Sequence, residues 1–222
     1  MKIFLDTANL DSIKKFNDMG LLDGITTNPS LMSKEGGNPK NAMEEITKII
    51  KGDVSLEVVS TEYLGMIEEG KRLREYGDNV VVKVPMTPDG LKACKSLSSE
   101  GIPVNVTLIF SANQALLAAK SGAKYVSPFI GRLDDIGQDG MRLIGDIKQI
   151  FKNYPYLKTQ ILVASVRHPV HVVDAAKIGA DVVTLPPAVL EKMLEHPLTK
   201  IGLENFLADW EKLKTGNPDI KI

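Results

Sequence analysis

A lysine inside an apolar run is the first residue of this 222-residue chain whose type suggests chemistry. In the run Val80–Val84, VVVKV, Lys83 shares a strand face with Val81, while Val82 and Val84 point the other way. An amine in that position is costly unless it is paired or neutral. Either its head reaches solvent at a strand end, or it is a desolvated amine suited to attacking a carbonyl and forming a Schiff base. Other short runs also carry polar residues. Asp6 falls with Phe4 and Lys2 in KIFLDT, Thr26 and Asn28 with Gly24 in GITTNPS, and Glu57 with Ser55 and Val59 in VSLEVVS. Asn105 and Thr107 share a face of PVNVTLIF, Ser127 shares one with Tyr125 and Phe129 in KYVSPFIGR, and Ser165 and Arg167 share one with Val163 in ILVASVRHP. Asp6 and Glu57 can move protons, directly or through a water held by Thr107. Asn28, Asn105 and Ser127 suit sugar hydroxyls. Arg132, just after the sixth run, and Arg167 suit an anionic group such as phosphate, helped by hydroxyls.

Positioning these residues is the task of an alternating pattern. Strand candidates are Lys2–Asp6, Gly24–Thr27, Val54–Val59, Val80–Val84, Pro103–Leu108, Tyr125–Phe129, Gln160–Ser165 and Asp181–Leu185. Helical patterning fills Asn38–Ile50, Glu62–Tyr76, Asp89–Leu97, Ser111–Lys120, Gly140–Asn153, Pro169–Lys177, Ala188–Leu194 and Ile201–Lys214. Strands alternating with helices imply parallel βαβ units. Eight of them imply an α/β fold, a single-domain (β/α)8 TIM barrel over residues 1–222, with a C-terminal helix at about 201–214. An open doubly wound sheet is the competing layout. In every run the polar residues come late, and in a barrel those C-terminal ends converge on one mouth, where active sites are built. Asp11, Asn38 and Ser111 read as helix N-caps, and Gly20, Gly122 and Gly179 as helix ends.

Composition narrows the function classes. Lys and Arg number 27 against 28 Asp and Glu, for a net charge of −1, so no polybasic nucleic-acid surface is expected. No apolar run approaches the roughly 18 residues of a membrane span. Asp6 interrupts the short N-terminal apolar stretch, so no signal peptide is read there and a cytoplasmic location is expected. The lone cysteine, Cys94, reads as a small packed residue, and no disulfide can form within the chain. His168, His171 and His196 lack zinc-enzyme spacing; His168 and His171 read as loop and helix-surface residues, and no metal is expected. Neither the Walker pattern nor a G-x-G-x-x-G fingerprint occurs.

Taken together, LDTAN, GITTNPSL, SLEV, VVVKVPMT, NVTLIFS, SPFIGR and ASVR resemble the transaldolase family, and most closely its short subfamily, which includes fructose-6-phosphate aldolases. The likeness spans essentially the whole chain. It implies a (β/α)8 Schiff-base enzyme that needs no cofactor and transfers a dihydroxyacetone unit between sugar phosphates in the pentose phosphate pathway. By that resemblance Lys83 is the Schiff-base lysine and Asp6 the acid/base. Thr26, Asn28, Asn105, Ser127 and Phe129 line the substrate. Glu57 and Thr107 position a water. Arg132, Ser165 and Arg167 bind phosphate. Aldolase members typically carry Gln and Tyr where this chain has Glu57 and Phe129, which favours transfer over simple cleavage. A fructose-6-phosphate aldolase is the near alternative, another lysine aldolase of deoxyribose-phosphate type a further one, and a non-catalytic binding barrel a remote one. The C-terminal segment, with Phe206 and Trp210, either packs on its own barrel or, as the resemblance implies, reaches a neighbour in a pentameric or decameric ring.

Overall fold

Short runs rich in Val, Ile and Leu, buried on both faces, form the strands of a parallel sheet. The structure, a computed structural model, describes residues 1–217 and residue 220. Its strands are β1 (Lys2–Asp6), β2 (Gly24–Thr26), β3 (Asp53–Glu57), β4 (Val80–Pro85), β5 (Val104–Ile109), β6 (Tyr125–Pro128), β7 (Gln160–Val163) and β8 (Val182–Leu185). They pair in chain order, and β8 closes on β1 through Lys2↔Val182 to Leu5↔Leu185. That closure makes a (β/α)8 barrel and excludes the open sheet.

The helices are α1 (Leu10–Asp18), α2 (Pro29–Glu35), α3 (Pro39–Ile49), α4 (Tyr63–Arg74), α5 (Pro88–Ser99), α6 (Ala112–Lys120), α7 (Ile130–Asp134), α8 (Gly140–Asn153), α9 (Pro169–Ile178), α10 (Pro187–Leu194) and α11 (Pro197–Gly216). Ser111 and Asn38 cap α6 and α3 as expected, each accepting a backbone N–H of the first turn. Asp11 does not cap α1. Asn9 does, its Oδ1 accepting the Ser12 N–H at 2.8 Å, and Asp11 sits inside the first turn, where its charge meets the positive end of the helix. The short helices α2 and α7 were not anticipated. Asn28 starts α2 by accepting the Leu31 N–H at 2.9 Å, with Pro29 supplying the fixed φ of the first helical position.

Strand alternation sorts the core into two parts. Outward residues such as Val82, Val84, Val104, Val106 and Val183 pack under the helices against Ala93, Leu97, Ile144 and Val172. Each fully buried aliphatic side chain there contributes about 1.5–3 kcal/mol. Inward residues Phe4, Val81, Tyr125, Leu162, Ala164 and Val182 form a separate cluster inside the barrel. Phe4 meets Tyr125 edge to face, with ring centroids 6.0 Å apart. Phe4 has room because residue 24 is glycine; a Cβ there would collide with its ring and with the Asp53 carbonyl. The Tyr125 hydroxyl donates to Asp53 Oδ2 at 2.6 Å, and Lys124 pairs with the same oxygen. Burial, with the Asp53 charge, pushes the Tyr125 phenol far above its ordinary value, so it is the donor.

Cys94 is fully buried on α5, and burial pushes its thiol up to about 12, consistent with a packed, unreactive residue. The C-terminal helix α11 does not bury an apolar face on its own barrel: none of its residues is buried, and Leu198, Ile201, Leu203, Phe206, Leu207 and Leu213 are exposed. Among the described residues no helix is long and apolar enough to cross a membrane.

Candidate active site

The upper half of the barrel interior differs in composition from the lower. Above the apolar cluster the inward positions are Thr26, Ser55, Lys83, Asn105, Thr107, Ser127 and Thr184, all buried. Lys83 is 5% exposed, so its ammonium does not snorkel to solvent. Its Nζ donates to the Thr27 carbonyl at 2.8 Å and lies 3.1 Å from Glu57 Oε2. The pairing follows from the register, since Glu57 of β3 stands directly beside Lys83 of β4.

Asp6, at the end of β1, accepts the Thr26 hydroxyl at 2.7 Å, and Thr26 Oγ1 lies 2.6 Å from Thr184 Oγ1 of β8. Burial holds the Asp6 carboxyl above its ordinary value; the Lys83 charge and the Thr26 hydrogen bond pull against it and do not win. A carboxyl poised that way can both give and take a proton. On the opposite wall the Ser127 hydroxyl donates to Asn105 Oδ1 at 2.7 Å, and Asn105 Nδ2 donates to Ser55 Oγ at 3.2 Å. Each of these side chains is locked by its neighbour. Thr107 is the exception: its Oγ1 is buried and has no partner among the described residues. It stands where the β5–β6 register shifts, beside Leu108 at φ +61°, an irregularity of the kind that re-aims side chains near active sites. A buried hydroxyl without a partner asks for a ligand or a water.

A cavity of about 330 Å³ opens over these groups. Asp6, Thr26, Asn28, Lys83, Asn105, Thr107, Ser127, Phe129, Arg132, Ser165 and Arg167 all line it. Glu57 does not. It lines an adjoining groove of about 1130 Å³ between β3 and α2, α3 and α4, and touches the first cavity through its ion pair with Lys83. The Asn28 side-chain carbonyl is spent on capping α2, which leaves its amide donors for a ligand. Arg132, on α7, stacks over the Phe129 ring at 4.9 Å. Arg167 pairs through Nη2 with Asp135 at 2.7 Å, and Ser165 holds the left-handed backbone at φ +61°, a strained conformation for a residue with a side chain.

Seven residues of the cavity wall were not singled out from the sequence: Ser30, Leu31, Lys34, Ala164, Val166, Thr184 and Pro186. Thr184 carries the signal that found the others, a polar residue late in an apolar run. Ser30 and Lys34 escaped because α2 itself was not read. His171, read as a helix-surface residue, is buried, and its Nε2 lies 3.0 Å from Asp134 Oδ2. Among the described residues no group of three or more His, Cys, Asp or Glu is placed to hold a metal.

The closed parallel barrel, with a buried amine, a perturbed carboxyl and two arginines around the cavity at its C-terminal mouth, is that of a (β/α)8 protein. The comparisons place it within that class. The model of the family described as transaldolase/fructose-6-phosphate aldolase matches residues 3–217, and the chain belongs to that family. A probable transaldolase of Nitrosopumilus maritimus (strain SCM1) is 89% identical over 222 residues, covering 100% of both chains. One from Aquifex aeolicus (strain VF5) is 61% identical over 96% of this chain and 98% of its own. One from Methanococcus vannielii is 60% identical over 95% and 98%. Among solved structures, inosine 5' monophosphate dehydrogenase from Legionella pneumophila aligns at a TM-score of 0.58 and 16% identity, over 85% of this chain and 58% of that one. At that identity the likeness concerns the barrel alone.

Proposed function

We propose that the protein is a transaldolase, moving a dihydroxyacetone unit between sugar phosphates through a Schiff base on Lys83. The observation that carries this reading is the Lys83 amine, buried at the barrel mouth between the Glu57 carboxylate and the Thr27 carbonyl, with Asp6 lining the same cavity. The names of the relatives support it. On this reading the Lys83 nitrogen attacks the ketose C2 carbonyl, and the oxygen leaves as water. Asp6 takes the C4 hydroxyl proton as the C3–C4 bond breaks, and the bonding electrons flow into the iminium to give an enamine. The aldose phosphate departs, a second aldose phosphate enters, and the steps reverse. Asn28, Asn105 and Ser127 hold the three-carbon fragment meanwhile, since groups already fixed by one another need no reorganisation. Glu57 and Thr107 hold the water that shuttles protons, and Arg132, Ser165 and Arg167 take the phosphate.

The substrates on this reading are sedoheptulose 7-phosphate and glyceraldehyde 3-phosphate, converted to erythrose 4-phosphate and fructose 6-phosphate in the cytoplasmic pentose phosphate pathway. The same reading makes the protein a homo-oligomer, in which the exposed apolar face of α11 is covered by a neighbouring copy; that exposure supports it. Glu57 and the hydroxyl-free ring of Phe129 favour transfer over release of free dihydroxyacetone. The test is a product assay with fructose 6-phosphate, with and without erythrose 4-phosphate. Sedoheptulose 7-phosphate forming only with the acceptor, and little free dihydroxyacetone, is the expected result. Rapid release of dihydroxyacetone without acceptor makes the protein a fructose-6-phosphate aldolase instead.

A further inference from the structure

His171 is a buried titratable group that the mechanism above does not use, and its contacts lead straight to the arginines. It lies on α9, 6% exposed. Its Nδ1 accepts the Arg167 backbone N–H at 3.3 Å, and its Nε2 faces Asp134 Oδ2 at 3.0 Å. The His168 ring lies against it, with centroids 3.7 Å apart. Nδ1 meets a donor and Nε2 meets an acceptor, so the geometry selects the neutral tautomer protonated on Nε2.

These two bonds close one end of a seam. At the other end the Ile130 and Gly131 N–H groups of α7 donate to the carbonyls of Ala164 and Ser165, both at 3.1 Å. Between them the Arg167 side chain crosses Gly131 so closely that a Cβ there would collide with it and with the Ser165 carbonyl. Arg132 stands on the α7 side of the seam and Arg167 on the other. The distance between the two guanidinium groups is therefore set by how α7 is held to the loop after β7.

We propose that His171 is a positioning residue that, as a neutral imidazole bridging Asp134 and the Arg167 backbone, fixes Arg132 and Arg167 at the spacing an anionic substrate group requires, and that gaining a proton undoes this. The inference rests on the reading of those arginines as the anion site. Once protonated, Nδ1 turns a donor toward the Arg167 N–H, and the backbone there loses its acceptor. The charged groups around the ring are Asp134 of α7, Asp174 of its own helix, and His168 and Arg167 of the loop. Burial, then the His168 charge, lowers the imidazole from its ordinary 6.5 against the pull of Asp134 and Asp174. The bridge is thus intact at neutral pH and fails as pH falls through that lowered value.

The experiment measures anion binding to the full chain by calorimetry, which needs no turnover. Inorganic phosphate is the probe at neutral pH, and sulfate, which does not titrate, is the probe in a series toward mildly acid pH. His171→Asn keeps an acceptor for the Arg167 N–H where Nδ1 stands and gives up the Asp134 contact, and His171→Phe gives up both. Phosphate affinity is expected to fall only a few-fold in His171→Asn, which keeps the bond to the Arg167 backbone, and by about tenfold or more in His171→Phe, which loses both bonds. Wild-type sulfate affinity is expected to fall with acid while that of His171→Asn stays flat. In turnover, His171→Phe raises KM for fructose 6-phosphate and leaves kcat and the KM for unphosphorylated dihydroxyacetone unchanged. Equal phosphate affinity in wild type and His171→Phe, or equal losses in both variants, overturns the proposal while leaving the anion site standing. A wild type that binds neither anion removes the anion site itself. If His171→Phe does not fold, the sulfate series on wild type and His171→Asn decides alone, parallel pH dependence overturning the proposal.

Discussion

Asp53 and Glu57 stand on the same face of β3, four residues and about 13 Å apart at the usual rise of about 3.3 Å per residue. Each holds a titratable partner inside the barrel. At the floor Asp53 accepts the Tyr125 hydroxyl and the Lys124 ammonium, with Phe4 edge-on to the tyrosine ring. At the mouth Glu57 meets Lys83, and beside them lie an unpartnered Thr107 hydroxyl and an open cavity. The chemical types are alike; the packing is not. Where apolar side chains fill the space, the polar pair is structural. Where polar side chains line an opening, the pair is left with unspent hydrogen-bonding capacity and is available to a ligand. Position along the strand, more than residue identity, divides the filled end of the barrel from the open one, and in (β/α)8 enzymes generally the C-terminal end is where sites are built.

The largest expected effect on that comparison is at Lys83. Lys83→Ala loses turnover by at least about a thousandfold while circular dichroism stays native. Retained activity would mean that the mouth pair is no more catalytic than the floor pair. Next comes Asp6→Asn, expected to slow transfer by about 10²–10³-fold, the range for a lost general acid/base. Its stability should move the other way. A carboxyl whose folded pKa is raised binds its proton more tightly folded than unfolded, so its contribution is present at low pH and lost as pH rises through the folded value. Asp6→Asn is therefore no less heat-stable than wild type at neutral pH, and its advantage over wild type fades as pH falls below the raised value of Asp6. A lower melting temperature at neutral pH would contradict this. The smallest effect is at the floor. Tyr125→Phe is expected to cost about 1–3 kcal/mol in urea unfolding, by leaving Asp53 short of a donor, with kcat unchanged. A kcat loss there would erase the distinction between the two ends.

Most of the barrel was legible because its strands are short β-branched runs whose polar residues come late, a one-dimensional pattern that survives folding. Eleven of the twelve candidate residues line one cavity, and that pattern or its immediate flank marked all of them but Phe129, which came from the family resemblance. What escaped was set by three-dimensional contacts. Nothing local marks Asn9 over Asp11 as the cap of α1; the hydrogen bond to Ser12 decides it. The helix α2 hides in NPSLMSKE, too short to show a period. His171 looks like any polar residue on α9 until α7 is laid over it and Asp134 meets its ring.

The junction of β1, β2 and β8 carries a consequence for synthesis. Asp6, Thr26 and Thr184 are linked by hydroxyls, although Thr184 follows Thr26 by 158 residues. Lys83 leaves the ribosome early, roughly 100 residues before Thr184, a lag of about 5–20 s at ordinary elongation rates. Until β8 arrives, β1 and β7 present open edges that invite pairing with other chains. The acid's hydroxyl clamp does not yet exist either. The last strand to be made is the one that both seals the sheet and completes the cavity wall, so a chain cut short carries Lys83 without the Thr184 side of that wall.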